Sequence, residues 1–307
     1  MTRGFITIAT GAEHYYKLAR QLLRSFRCRS DGTVPFALIC DRENEYTSEF
    51  DHVIILEHPC CSYLDKLLIY RYSPFEETIF IDADSLVMKD PSVMWEDFSG
   101  GSPVSCYGKT YPIGSDGGWF RWENTGKWKN QIRYQIDLHG GTYYFRRGME
   151  SEQFFDLAIT LAQEYDSYDF KDFVQPADEP VMALTMAIHG CLPSEKKGRV
   201  AFLNSLYGRL SLSDHGELYQ DGRPCDAIIC HFATRNTRCY LYRYLSAAVD
   251  LKYLDPSTDQ RPDKWKIRRE TIGYDLKNHT AYICKRLIKR CVPRDKLKKL
   301  KKMLSGI

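Results

Sequence analysis

Ile79-Phe80-Ile81-Asp82-Ala83-Asp84-Ser85-Leu86-Val87 decides the reading of this chain. Three apolar residues lead into two carboxylates spaced two apart, and another apolar pair follows. β-Branched and aromatic residues bounded by polar ones read as a buried strand. On a strand, residues i and i+2 point to one face. Asp82 and Asp84 are therefore expected to aim together from the end of a core strand. Buried carboxylates that point together repel unless a cation or proton lies between them. Two hard oxygen donors suit Mg²⁺ or Mn²⁺. A cation held this way can bridge a diphosphate, which points to an enzyme acting on a nucleotide-activated substrate. The competing reading is a solvated turn, where Asp-x-Asp is common. The flanking apolar residues argue against it, because a solvated turn does not need them.

Upstream, Phe5–Thr10 reads as a first strand. Leu18, Leu22, Leu23 and Phe26 recur at helical spacing, so a helix is expected over His14–Phe26. Val34–Cys40 and Val53–Leu56 read as strands, Tyr63–Tyr72 as a short helix and Thr78–Ile81 as the strand before the two aspartates. This alternation predicts an α/β fold with a mixed, mostly parallel sheet and helices on its faces. Ligands in such folds bind at the carboxyl ends of strands, where Thr10 and Asp82–Asp84 would lie. Residues 107–136, rich in Gly, Trp and Tyr, break the pattern. Thr142–Phe145 reads as another strand, Glu152–Tyr165 and Glu179–His189 as helices, and Ala227–His231 as a late strand. The expected organisation is one domain over residues 1–250, with 107–136 inserted, and a helical basic extension over 251–307.

Composition sets bounds. With 307 residues, 43% hydrophobic and 27% charged, the chain suits a folded protein of one large domain. No apolar run approaches a membrane span, and the apolar segment after Met1 is too short for a signal peptide. The 11 cysteines are odd in number and form no Cys-x-x-Cys pair. That argues against a disulfide framework or structural zinc, and for reduced thiols in a cytosol.

These pieces resemble the GT-A-fold glycosyltransferases, and among them the glycogenin and bacterial lipopolysaccharide galactosyltransferase group, family 8. The resemblance runs from about Phe5 to Arg238 and is carried by patches. The first is Thr7-Ile8-Ala9-Thr10 followed by Tyr15, where the family contacts and stacks on uracil. Lys66, 16 residues before Asp82, matches a family cation close to the diphosphate and donor sugar. Asp82-Ala83-Asp84 is similar to the metal motif: Asp84 is implied to ligate directly, and Asp82 to contact metal and ribose. Leu138-His139-Gly140-Gly141-Thr142-Tyr143 stands where the family has Phe-Asn-Ser/Ala-Gly-Val against the donor sugar, with His139 replacing Asn. Asp178-Glu179 stands for the family's Asp-Gln, which implies that Asp178 touches sugar hydroxyls and that Glu179 lies beneath the anomeric carbon. There a carboxylate would stabilise an oxocarbenium-like centre or attack it. By its residue type alone, Asp178 also suits a helix N-cap. Cys230-His231-Phe232 is similar to the late His-Phe motif, whose His is the third metal ligand. The O,O,N set implies Mn²⁺, or Mg²⁺. Arg235 and Arg238 follow where the family has Gly and Lys, and either would bind phosphate.

Trp119 and Trp122, with Phe120 and Trp128, lie among the glycines of the insertion. Aromatic faces suit the C–H faces of sugars, so an acceptor-binding lid and a small packed subdomain both stand open. Residues 285–302 hold ten Lys or Arg and one Asp, leaving the rest of the chain mildly acidic. Ile283, Leu287, Ile288 and Cys291, then Leu297, Leu300, Met303 and Leu304 after Pro293, recur at helical spacing. A basic amphipathic helix suits an anionic membrane surface; a solvated tail is the bland alternative, and no basic–aromatic motif favours nucleic acid.

The expected activity is metal-dependent transfer of a hexose from a nucleotide sugar, with a UDP-sugar as the expected donor, to a saccharide or glycolipid acceptor with retention of configuration. The expected setting is bacterial surface glycan synthesis, cytoplasmic and peripheral on the inner membrane face. Two rivals remain: a non-catalytic sugar-nucleotide or glycan binder on the same fold, and a phosphohydrolase of the haloacid-dehalogenase type. The latter wants Thr or Val four residues after its first Asp, where this chain has Leu86.

Overall fold

The computed structural model of the chain describes residues 2–168, 170, 176–213 and 217–291. In chain order the first elements are β1 (Arg3–Ala9), α1 (Glu13–Arg27), β2 (Phe36–Cys40), β3 (His52–Ile55), α2 (Ile69–Tyr72), β4 (Glu77–Ile81), β5 (Ser85–Val87) and α3 (Val93–Phe98). Then come β6 (Val104–Tyr111), β7 (Gln135–Arg146), α4 (Met149–Gln163), α5 (Asp178–His189), β8 (Val200–Phe202) and α6 (Leu203–Leu206). The chain closes with β9 (Leu210–Leu212), β10 (Leu218–Gln220), β11 (Arg223–Pro224), β12 (Ile229–His231), α7 (Tyr240–Leu254) and α8 (Lys264–Cys291). Two compact units result: residues 1–200 with 226–231, and residues 201–225 with 232–307.

The first unit is built on a six-stranded sheet in the order β3-β2-β1-β4-β7-β6. The pairs β3–β2, β2–β1 and β1–β4 are parallel, whereas β7 runs antiparallel to both β4 and β6. Parallel strands covered on both faces become near-continuous apolar runs, and all five residues of β2 are buried. Tyr16, Leu18, Ala19, Leu22, Leu23 and Phe26 form the buried stripe of α1. Helix α5 is apolar on nearly every side, with Val181, Met182, Ala183, Leu184 and Met186 all in the core, as befits a helix packed between layers. Ser25 stitches α1 to β5: its hydroxyl donates to Leu22 O (2.7 Å) and accepts from Val87 N–H (2.9 Å).

Three expectations change. Asp82 and Asp84 do not ride on a strand; β4 ends at Ile81, and the pair forms a turn before β5. Both ends of the 107–136 stretch are sheet, since β6 reaches Tyr111 and β7 begins at Gln135, so only 112–134 is irregular. The Tyr63–Tyr72 segment is a tight 3-10 turn over Tyr63–Leu68 before the four-residue α2.

The second unit holds an antiparallel sheet, β9-β10-β11, and helices α7 and α8. Asp275 of α8 accepts from Tyr240 N–H (3.1 Å) and Tyr207 OH (3.2 Å), giving α7 the N-terminal acceptor its own cap lacks. Helix α8 starts at Lys264, well before the helical spacing at Ile283. The helix expected after Pro293 lies outside the described residues.

Candidate functional site

Backbone bonds set the carboxylate turn. Asp82 N–H donates to Gly141 O, and Ser85 N–H donates to Asp82 O, both at 3.0 Å. Antiparallel pairing of β5 with β12 puts His231 opposite Ser85, beside the turn. His231 Nε2 lies 2.9 Å from Asp84 Oδ1 and 3.8 Å from Asp82 Oδ2. One ligand atom from each of Asp82, Asp84 and His231 falls within 4.8 Å of the others. Asp84 and His231 are buried. Burial pushes the Asp82 carboxyl up against the pull of Lys66. For His231, burial disfavours the charged ring, but the Asp84 and Asp82 carboxylates win and raise its pKa.

A wall of β7 backs this cluster. His139 Nε2 lies 3.1 Å from His231 Nδ1, with the rings edge-on. Gly141 N–H donates to His139 Nδ1 at 3.3 Å. The bonds are mutually consistent when His139 is neutral and its Nε2–H faces His231. Burial lowers the His139 pKa well below the ordinary value, in agreement. The resemblance puts His139 against the sugar; in the structure it also touches the candidate metal ligand. Glycine is required next to it for space. A Cβ on Gly141 would sit 2.6 Å from His139 Cε1 and 2.7 Å from His231 Nδ1. One on Gly140 would sit 2.3 Å from Glu179 Cγ.

Lys66 joins the turn to the start of α5. Its Nζ donates to Asp82 Oδ2 (2.7 Å) and lies 3.4 Å from Asp178 Oδ1. Burial would lower its pKa, but Asp178 and Asp82 hold it well above the usual lysine range. Asp178 is not an N-cap: Ala177 holds that position, and Asp178 is the first helical residue. Its carboxylate turns inward to Lys66 and accepts from Tyr143 OH at 2.6 Å. Glu179 Oε1 accepts from Gly140 N–H (3.0 Å). Burial, with the charge of Asp178 adding to it, pushes the Glu179 carboxyl up to about 7. Tyr143 was absent from the expected site, and nothing in its apolar strand context marks it. Asp65 was also missed. It is buried one residue before Lys66 and accepts from Thr10 Oγ1 (3.1 Å) and Cys60 N–H (2.8 Å).

Among the other expected residues, Ala9 and Ala83 are buried. Tyr15 is half-buried, and its hydroxyl pKa is raised by burial first, then by Tyr63, Asp84 and Asp82. In the insertion, Trp119 Nε1–H donates to Leu138 O (2.8 Å) and Trp122 Nε1–H to Lys129 O (3.1 Å). Both rings pack against the core, so this part is a packed subdomain. Arg235 and Arg238 belong to the second unit, in the turn Thr234–Arg238, where the Arg235 guanidinium bonds Asn204. Among the described residues every cysteine whose side chain is described is a free thiol, and no helix is long and apolar enough to cross a membrane.

Two carboxylates and an imidazole converging in a buried corner fit a divalent cation. Ligation needs the Nε2 lone pair of His231, so the His231 proton would then sit on Nδ1 and be donated to His139 Nε2, the reverse of the bond described above.

A mostly parallel sheet ending in an Asp-x-Asp turn beside a histidine has the GT-A glycosyltransferase fold. Solved structures bear this out. The galactosyltransferase LgtC, in complex with donor and acceptor sugar analogues, superposes with a TM-score of 0.52 over 86% of this chain and 99% of its own, at 10% identity. The bifunctional glycosyltransferase WbbM matches at 0.53, over 88% of this chain and 52% of its own, at 13% identity. GlyE of Streptococcus pneumoniae TIGR4 matches at 0.51, over 90% and 64%, at 12% identity. This chain thus spans about half of WbbM and under two thirds of GlyE. An active-site glutamine-to-glutamate mutant of LgtC superposes equally well, with a TM-score of 0.51 at 12% identity, over 86% of this chain and 99% of its own. No family profile and no curated protein matches the chain.

Proposed function

We propose that the chain is a metal-dependent glycosyltransferase that moves a hexose from a UDP-sugar to a hydroxyl of a saccharide or lipid-linked saccharide. The observation that carries this reading is the Asp82–Asp84–His231 cluster at the end of a core strand, with Lys66 against it. Bound Mn²⁺ or Mg²⁺, held by those three side chains, would neutralise the departing diphosphate. Lys66 supplies a second positive charge at the same place. Ala9, Thr10 and Tyr15 hold the base, and Asp82 the ribose. Ala83 and the backbone of Gly140 and Gly141 line the donor, with His139 orienting His231. Asp178 takes sugar hydroxyls, and Glu179 faces the anomeric carbon, consistent with retention. Arg235 and Arg238 serve the phosphates, and Trp119 and Trp122 the acceptor. Ile272, Leu276 and Ile283, exposed on one face of α8, support docking of the basic extension (251–307) on an anionic membrane in bacterial surface glycan synthesis.

A thermal-shift titration with UDP and a panel of UDP-sugars tests the donor site. It compares Mn²⁺ with chelator on wild type and Asp84→Ala. Ligand at about 100 times Kd stabilises the native state by about 2.7 kcal/mol. A shift that requires Mn²⁺ and disappears in Asp84→Ala is expected. No shift with any nucleotide would overturn the reading.

A further inference from the structure

The second unit carries a cleft of its own, about 430 Å³, between β9 and helices α7 and α8. That volume falls within the roughly 300–1,000 Å³ usual for small-molecule sites. Its lining combines three aromatic rings, Tyr240, Tyr244 and Trp265, with two cations, Lys264 and Arg268, and the hydroxyl of Ser211. No carboxylate lines it among the described residues. Trp265 leaves 69% of its surface exposed at the rim of this cleft. The Tyr240 and Tyr244 rings lie 5.8 Å apart. The Arg268 guanidinium lies over Tyr240, 5.0 Å from the ring centre.

We infer that this cleft binds an anionic sugar residue. Aromatic faces match the C–H faces of a pyranose ring, and serine matches its hydroxyls. A guanidinium held over a tyrosine ring is partly pre-ordered, and its N–H groups can grip a carboxylate or phosphate in two-pronged fashion. A neutral sugar would use the rings and not the Arg268 guanidinium. An inorganic anion would use the guanidinium and leave Trp265 uncovered. Only a sugar bearing a negative group uses both halves. The site is separate from the proposed donor site, because none of its lining residues is among those assigned to the donor. Its ligand is a glycan, either the acceptor's charged branch or the growing product.

Isothermal titration of the full chain in EDTA, which silences a metal-dependent donor site, tests this. The probes are tetragalacturonate, its methyl ester and glucose 6-phosphate. Tetragalacturonate or glucose 6-phosphate is expected to bind, the first naming a carboxylate-bearing glycan and the second a phosphorylated one. The ester is expected to bind at least tenfold more weakly than the acid. Trp265→Ala and Arg268→Gln, both at exposed positions, should each weaken binding tenfold or more with an unchanged melting temperature. Binding that survives both substitutions, an ester as tight as the acid, or no binding of any probe overturns the inference. None of these outcomes depends on UDP or Mn²⁺, so the donor-site reading stands or falls separately.

Discussion

Two acidic pairs meet at Lys66, and they are built differently. Asp82 and Asp84 sit in a turn with a histidine as third member, and their negative charge exceeds what Lys66 offers. Asp178 and Glu179 open a helix, and each carboxylate already has a donor: Lys66 and Tyr143 for Asp178, and Gly140 N–H for Glu179. The first pair asks for a cation. The second is close to satisfied, and one of its members is held near neutrality. Residues of the same type thus acquire different chemistry from the groups their backbone faces.

The largest effect should come from removing the shared ammonium. Lys66→Met leaves Asp82 and Asp178 without their cation, and breaking a buried pair costs about 3–5 kcal/mol. Urea denaturation in EDTA measures it. A loss below about 1 kcal/mol would show that water reaches both carboxylates. Gly141→Ala acts on the first pair alone. The added methyl meets two imidazoles rather than a flexible chain end. It should cost about 1–3 kcal/mol and weaken Mn²⁺ binding, read by electron paramagnetic resonance. Unchanged Mn²⁺ affinity would mean that His231 is not held by this wall.

Glu179→Gln acts on the second pair and is the smallest. The Glu179 carboxyl titrates at about 7 in the fold against 4.5 ordinarily. As pH rises between these values, the unfolded chain releases a proton that the folded chain keeps. The stability this group contributes is therefore whole below the lower value and lost as pH climbs through the upper one. Glutamine does not titrate. The variant should match wild type at pH 4 and exceed it by about 1–2 kcal/mol at pH 8, allowing for partial exposure. Equal pH profiles from chemical denaturation would place the Glu179 pKa near its ordinary value.

The order of β1 to β4, with their helices, was legible in the sequence because each carries an unbroken apolar run or stripe. The position of the carboxylates was legible too, but not their geometry: a tight turn brings Asp82 and Asp84 together as readily as a strand face does. β6 and β7 were obscured at their inner ends. Tyr107-Gly108-Lys109-Thr110-Tyr111 reads as loop, and the glycine pair 140–141 interrupts the apolar pattern of a 12-residue strand. The stretch of helix α8 before Ile283 was hidden for a different reason. Residues such as Arg268, Arg269, Glu270 and Asn278 give it no apolar stripe wide enough to announce a helix. Tyr143 and Asp65 act through partners distant in sequence, which spacing alone does not reveal.

The length of β7 has a mechanical consequence. Gln135–Asp137 pair with β6 beside the aromatic subdomain, His139–Gly141 form the wall of the carboxylate corner, and Thr142–Arg146 pair with β4 in the core. One continuous strand therefore spans the aromatic subdomain, the reactive corner and the sheet, and its pairing with β6 shifts register opposite His139–Thr142. Loops exchanged into positions 112–134 inherit that alignment only if they return the chain to Gln135 in register. A slip of one residue would turn His139 away from His231 and drive the next side chain into its place. Diversification of this subdomain is thus constrained by its exit point more than by its contents.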